Sequence, residues 1–141
     1  MKRVVLSLLL GIVILTGCGS KNETVKCTMK QEQTGVSING VITVELKNKK
    51  FDSAEFVFDA TIDEAYLNYK SQFVSALEKQ FSSFEKNYGA TPKVESTDNG
   101  AKVTVIMTSE QAEKFYGKSN SKEVTKNDVI EEFKKQGYTC E

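Results

Sequence analysis

Residues 36–47, VSINGVITVELK, decide the fold class of this chain. Apolar residues occupy one parity of the segment and mostly polar residues the other, which is typical of a β-strand with one buried face. The apolar positions are Val36, Ile38, Ile42, Val44 and Leu46. Gly40 interrupts the apolar parity and Val41 the polar one. The sequence therefore favours a β-bulge near Asn39-Gly40, with a two-residue Asn-Gly hairpin turn as the alternative.

Further strands are predicted on both sides of this segment. Residues 25–33 alternate loosely before it, and residues 51–61 alternate after it. Later in the chain, residues 92–97 are extended, and Asp98-Asn99-Gly100 predicts a hairpin turn. The turn leads into a last alternating strand at 101–108, so the strands fall into two groups along the chain.

A long helix is predicted between the two groups of strands. Apolar residues recur there at intervals of three and four, namely Tyr66, Tyr69, Phe73, Leu77, Phe81, Phe84 and Tyr88. Thr61-Ile62-Asp63-Glu64 has the pattern of a capping box, and Gly89 is placed to end the helix in a left-handed conformation. The stripe indicates a helix of about seven turns packed on the sheet, with a ligand groove as the alternative.

Two shorter helices are predicted near the C terminus. One runs from Ser109 to Tyr116 and ends at Gly117, and the other is capped by Thr125-Lys126-Asn127-Asp128. Residues 25–141 are therefore predicted to form a single α+β domain. We expect an antiparallel sheet of about five strands, with the long amphipathic helix and the shorter C-terminal helices packed on one face.

The start of the chain is typical of an exported protein. Lys2 and Arg3 precede the apolar run Val4–Leu15, which is too short to span a bilayer as a helix. The run ends in Leu15-Thr16-Gly17-Cys18, which resembles the lipobox of bacterial lipoproteins.

The lipobox resemblance implies a processing step and a location. Residues 1–17 are then a signal peptide that is removed, and residues 18–24 are the lipidated Cys18 and a short tether. The lipid on Cys18 holds the protein at the cell membrane, on its extracytoplasmic side. An ordinary signal peptide followed by an unmodified cysteine is the alternative.

Composition argues against several classes of function. The chain has 19 basic and 19 acidic residues, and removal of Lys2 and Arg3 leaves 17 basic against 19 acidic. Such a balance is unlike that of a nucleic-acid-binding protein and argues against a second, electrostatic membrane contact. The chain has no histidine, which removes the commonest general base and a usual zinc ligand. We expect no catalytic residue, metal site or cofactor, and no enzyme activity.

Two cysteines remain once Cys18 is assigned to the lipid. Cys27 and Cys140 stand near the two ends of the predicted domain, and leftover cysteines in exported proteins most often pair. The sequence therefore predicts a Cys27–Cys140 disulfide, with two unrelated thiols as the alternative.

Two groups of polar side chains are candidates for a site. Asp128, Glu131 and Glu132 share a helix face and could hold a hard cation, although an acidic start and basic end are also the ordinary pattern of a helix. The tyrosines of the long helix, Tyr66, Tyr69 and Tyr88, could present hydroxyl groups at a pocket rim or a partner surface. The same stripe is the best candidate for the core, and sequence does not separate the two interpretations.

The chain as a whole resembles the small YehR-like bacterial lipoproteins. The features that carry the resemblance are the lipobox, Cys27-Thr28, Ile42-Thr43-Val44, Phe56-Val57-Phe58, the aromatic helix and Gly137-Tyr138-Thr139-Cys140. The resemblance implies an envelope location and an α+β fold, and it brings no catalytic residues.

These observations favour a non-enzymatic, membrane-anchored module that binds a protein or another envelope component. The alternative is a carrier or sensor of a small or lipid-like ligand, held between the aromatic helix and the sheet. An enzyme that uses carboxylates and tyrosines alone is the third hypothesis.

Overall fold

The computed structural model describes residues 21–117 and 123–141. The strands are β1 Asn22–Gln33, β2 Val36–Lys47, β3 Lys50–Ile62, β4 Lys93–Thr97, β5 Gly100–Thr108 and β6 Thr139–Cys140. The helices are α1 Lys70–Tyr88, α2 Ser109–Tyr116 and α3 Lys126–Lys135, and a 3₁₀ helix, Glu64–Tyr69, precedes α1. All these elements lie between Asn22 and Cys140.

The strands form one antiparallel sheet in the order β4-β5-β3-β2-β1-β6. β1, β2 and β3 follow one another through tight turns, and β5 returns beside β3 with β4 on its outer side. The predicted α+β fold is confirmed. The sheet has six strands because the extended C terminus pairs with the outer edge of β1.

The two faces of the sheet differ completely in burial. The strand residues that point to the covered face are buried, including Val25, Ile42, Val44, Leu46, Phe56, Val103, Val105 and Met107. Helices α1, α2 and α3 add Leu77, Ala112, Val129 and Phe133 to the same hydrophobic cluster. The opposite parity of β1, β2, β3 and β5 contains no buried residue in the described ranges except Gly100, at the start of β5. We call the two sides the covered face and the open face.

The predicted bulge or turn at Asn39-Gly40 is wrong. Both neighbouring strands pair with these residues in unbroken register. Gly40 lies on the covered face, where an added Cβ would stand 2.8 Å from Met29 Cγ and 3.0 Å from Phe58 Cε1. Glycine therefore makes room for two large side chains and does not bend the strand. The register shift falls instead at Asp52, which has no partner because Glu45 pairs with Ser53 and Leu46 with Phe51.

The predicted capping box at Thr61-Ile62-Asp63-Glu64 is also wrong. Thr61 and Ile62 belong to β3, and Asp63 makes no side-chain cap for the 3₁₀ helix that follows. The Thr61 hydroxyl donates to the Ser37 carbonyl oxygen at 3.4 Å. Strand pairing holds Thr61 and Ile62, and a 3₁₀ helix occupies Glu64–Tyr69, so the α-helix starts only at Lys70.

The other predicted helix ends are confirmed. Gly89 and Gly117 have positive φ angles of 75° and 64° and end α1 and α2. Thr125 and Asp128 form the capping box of α3. In the described ranges, no helix has the length and apolar character needed to cross a membrane.

Candidate functional site

The predicted lipidation site, Cys18, lies outside the described residues. The first strand starts at Asn22, three residues earlier than the sequence pattern indicated. The Asn48 amide donates to the Lys21 carbonyl oxygen at 3.0 Å, so the fold holds the chain from Lys21 onward. Only Gly19 and Ser20 lie between Lys21 and Cys18.

The predicted disulfide is present. Cys27 and Cys140 lie directly opposite each other in the β1–β6 ladder and are bonded. The Cys27 side chain is fully buried on the covered face. The bond fixes the C-terminal strand to β1, across a sequence separation of 113 residues.

The three candidate tyrosines do not form one site. Tyr66 and Tyr69 lie on the 3₁₀ helix and are 43% and 59% exposed. Tyr88 lies at the other end of α1, about 28 Å from Tyr69 at helical rise, and packs edge-on against Phe84 and Phe115. The core interpretation of the stripe therefore holds for α1 and is wrong for the 3₁₀ helix.

The open face carries a small apolar patch that the sequence analysis did not identify as a site. Val41 and Val57 are direct cross-strand partners on β2 and β3. Ile106 on β5 is diagonal to Val57, because Val57 pairs with Thr104, and it is 62% exposed. We call Val41, Val57 and Ile106 the open-face patch. The signal in the sequence was an apolar residue at a polar-parity position in each of three strands.

Polar side chains surround the open-face patch. The strand pairing places Thr28 beside Val41, Thr104 beside Val57, and Glu55 beside Ile106. A shallow groove of about 550 Å³ adjoins the patch at Val41 and continues along Thr28 and Asn39 to Thr139. An apolar centre with a polar rim is the usual composition of a protein–protein contact.

A second hollow lies between α1 and the covered face. It has a volume of about 160 Å³ and is lined mainly by Met29, Ile38, Phe58, Leu77, Phe81 and Val103. It is the place that the ligand-carrier hypothesis predicted. Pockets for drug-sized ligands measure roughly 300–1,000 Å³, so this one suits a small apolar group at most.

The covered face contains one poorly satisfied polar group. The Tyr116 hydroxyl is buried and has no hydrogen-bond partner in the described parts of the chain. The Tyr116 ring stacks on Phe51 with centroids 4.6 Å apart and meets Phe133 edge-on. Burial raises the pKa of the Tyr116 phenol far above its ordinary value, with smaller contributions from Tyr138 and Glu132. The phenol therefore stays protonated at physiological pH.

The candidate acidic residues of α3 have separate structural contacts, with Asp128 in the N-terminal capping box and Glu132 paired along the helix. The Asp128 carboxylate accepts hydrogen bonds from the Thr125 amide and hydroxyl, both at 2.8 Å. Glu132 lies 3.9 Å from the Lys135 ammonium group. Within residues 21–117 and 123–141, no three His, Cys, Asp or Glu side chains are grouped to hold a metal ion.

The fold defines this chain as an α+β protein with a helix-covered antiparallel sheet, and comparisons with known proteins agree. The chain is similar to the NMR structure of the Escherichia coli YehR protein, with a TM-score of 0.54 and 20% sequence identity. The similarity covers 86% of this chain and 92% of that chain. It shows a YehR-like fold. Neither a protein-family model nor a curated protein sequence matches the chain.

Proposed function

We propose that this chain is a bacterial lipoprotein whose domain stands on the extracytoplasmic side of the cell membrane and binds another envelope protein without catalysing a reaction. The observation that carries the binding role is the open-face patch, where Ile106 is 62% exposed. The lipid on Cys18 attaches the domain to the membrane, and the open face provides the contact with the partner.

Two features support the proposed location. Leu15-Thr16-Gly17-Cys18 follows a charged and then apolar leader, in the order that export and lipidation require. The Cys27–Cys140 disulfide is independent support, because structural disulfides persist in oxidising compartments outside the cytosol. The disulfide supports export in general, and the lipobox supports anchoring.

A protein partner suits the open face better than a small ligand does. The open-face patch is central to three adjacent strands, and its rim is polar. Exposed apolar residues that cluster within a polar rim are typical of surfaces that contact another protein. The groove beside the patch is shallow, and small molecules bind mostly in sites that enclose them.

Membrane anchoring is tested by Cys18→Ala in the full chain. We expect the variant to appear in the soluble extracytoplasmic fraction or as an uncleaved precursor, because the thiol that takes the lipid is missing. Ser20→Ala is the matched control, since it also changes one small residue beside the cleavage point and leaves the thiol in place. A Cys18→Ala protein that is cleaved and still membrane-bound would refute the lipid anchor.

The partner surface is tested by photo-crosslinking in cells that produce the anchored protein. An Ile106→p-benzoylphenylalanine variant is expected to form a covalent adduct with one envelope protein. The yield of this adduct should fall when Val41→Thr and Val57→Thr are added. The same photoreactive residue at the exposed position Lys79 on α1 is the control. No adduct from position 106, or the same adducts from both positions, would count against the open face.

The second candidate function is a carrier of a small apolar ligand, and the hollow between α1 and the sheet is the observation that favours it. This hypothesis predicts extra mass on the protein in native mass spectrometry. Ala60→Val should reduce the fraction of protein that carries the extra mass, because Ala60 lines the hollow and the larger side chain would fill it. Val57→Ile adds similar bulk on the open face and is the control. A wild-type protein with no bound mass would remove this candidate.

A further inference from the structure

One end of the sheet brings four lysines together. The β2–β3 turn places Lys47 opposite Lys50 and Lys49 between them, and Lys47 also pairs with Asn22 at the start of β1. Lys21 joins them through its backbone, because its amide donates to Asn48 Oδ1 at 3.2 Å. We call Lys21, Lys47, Lys49 and Lys50 the basic end.

Three of the four lysines at the basic end form no ion pair within the described residues. Lys49 forms an exposed ion pair with Glu123 at 3.0 Å. Lys21, Lys47 and Lys50 are exposed and form no ion pair within the described ranges.

Several carboxylates stand near the basic end without pairing to it. Glu23 pairs in the ladder with Leu46, and Asp52 lies at the bulge of β3. Glu45 accepts a hydrogen bond from the Thr24 hydroxyl at 2.8 Å. Three ammonium groups therefore remain available at the tip of the sheet.

The opposite end of the sheet carries acidic groups. Asp63 and Glu64 follow β3, and Asp98 lies in the β4–β5 turn, all of them exposed. Lys70, at the start of α1, donates to the carbonyl oxygens of Thr97 and Asp98 in that turn. β3 separates the two ends by about 40 Å, several times the Debye length at physiological ionic strength. A charged surface that touches one end is therefore screened from the other.

The basic end is also the end from which the chain leads back to Cys18. Four residue steps from Cys18 to Asn22 span at most about 14 Å. We propose that the basic end docks on anionic phospholipid headgroups as a second, electrostatic membrane contact. This contact orients the strands so that they point away from the membrane surface, and the open face stays accessible to a partner. In the cell, this electrostatic contact rests on the proposed lipidation of Cys18. The near-neutral net charge of the whole chain does not reveal the local group of lysines.

The test uses the mature chain, residues 18–141 with Cys18→Ala, which contains every described element and carries no lipid. It is mixed with vesicles of equal parts phosphatidylglycerol and phosphatidylcholine, or of phosphatidylcholine alone, and sedimented. We expect salt-sensitive binding to the anionic vesicles only. Replacing Lys21, Lys47 and Lys50 with Gln should weaken binding by about 5-fold for each lysine.

The matched control replaces Lys79, Lys86 and Lys134 with Gln, which removes the same charge from exposed helix positions. Equal losses in both triple variants, or equal wild-type binding to both vesicle types, would overturn the proposal. Circular dichroism shows whether each variant is folded, and the salt dependence of wild-type binding tests the proposal without any variant. Because this experiment contains no lipidated protein, its failure is distinguishable from failure of the anchor, which Cys18→Ala tests in cells.

Discussion

Phe56 and Val57 are neighbours in β3, and their side chains enter opposite environments. Phe56 is 2% exposed and meets Phe84 and Phe115 from α1 and α2. Val57 lies on the open face between Val41 and Thr104, and no helix of the described ranges lies over it. The covered face therefore contributes most of the hydrophobic stabilisation, and the open face is the surface proposed to contact a partner.

The difference between the faces comes from the helices. The aromatic side chains of α1, α2 and α3 are directed to one side of the sheet, where they form a continuous series of ring contacts from Phe81 to Tyr138. Alternation makes one face of each strand mainly apolar, and the helices cover that face. The open face keeps threonines, charged residues and the open-face patch.

The largest expected effect separates the two faces within β3. Phe56→Ala should lower the free energy of unfolding by about 4 kcal/mol, because a buried ring is lost and a cavity remains. Val57→Ala, the control at the next residue, should cost about 1 kcal/mol or less. Urea denaturation followed by circular dichroism measures both values. Equal losses would mean that the open face is also buried in the folded protein.

The disulfide should have the next largest effect. Cys27→Ala with Cys140→Ala removes the bond that fixes β6 to β1, and it should lower the free energy of unfolding by about 3 kcal/mol. Alanine is chosen because a serine hydroxyl at position 27 would be buried without water. The denaturation midpoint is compared under non-reducing conditions. A midpoint equal to that of the wild type would show that the bond adds no stability.

A smaller effect is expected at Tyr116, where the change should be stabilising. Tyr116→Phe removes a buried hydroxyl that has no partner in the described parts of the chain, so stability should rise by about 1 kcal/mol at neutral pH. Comparison of wild type and variant by thermal and urea unfolding measures the gain. A loss of stability would indicate that the hydroxyl does form a hydrogen bond.

The stability of the wild type and of Tyr116→Phe should depend differently on pH. Burial raises the pKa of Tyr116 above its ordinary value of 10.0, so the folded state disfavours the phenolate. Below pH 10, ionisation of Tyr116 does not change the free energy of unfolding. Above pH 10, the free energy of unfolding falls as pH rises, by up to about 1.4 kcal/mol per pH unit, because the unfolded chain releases the phenol proton first. Tyr116→Phe should therefore lose stability less steeply than the wild type above pH 10. Tyr138, whose pKa burial also raises, is present in both proteins.

The smallest effect is expected in the β2–β3 turn, which belongs to neither face. Asn48 and Lys49 have positive φ angles of 52° and 59°, a conformation that costs a lysine more than a glycine. Lys49→Gly also removes the exposed ion pair with Glu123, so the net change should be a gain of about 0.5 kcal/mol or less. Glu123→Gln measures the pair alone. A large loss of stability in Lys49→Gly would show that Lys49 stabilises the turn by more than its ion pair.

Local rules predicted much of the fold. The caps of α2 and α3 and the glycine that ends α1 were correct because each depends on residues a few positions apart. Asn39-Gly40 and Thr61-Ile62-Asp63-Glu64 were misassigned because strand partners nine or more residues away override the local pattern. The open-face patch was missed because Val41, Val57 and Ile106 become neighbours only through the pairing of three strands.

By itself, the sequence determined the class of fold and the features that point to export and to a lipid anchor. Alternation, capping pairs and cysteine positions act over short distances or depend on residue type alone. Only the tertiary structure decided the strand order, where Tyr66 and Tyr69 lie, and that four lysines meet at one end. These features depend on strand order and helix placement, which arise from contacts between residues distant in the chain.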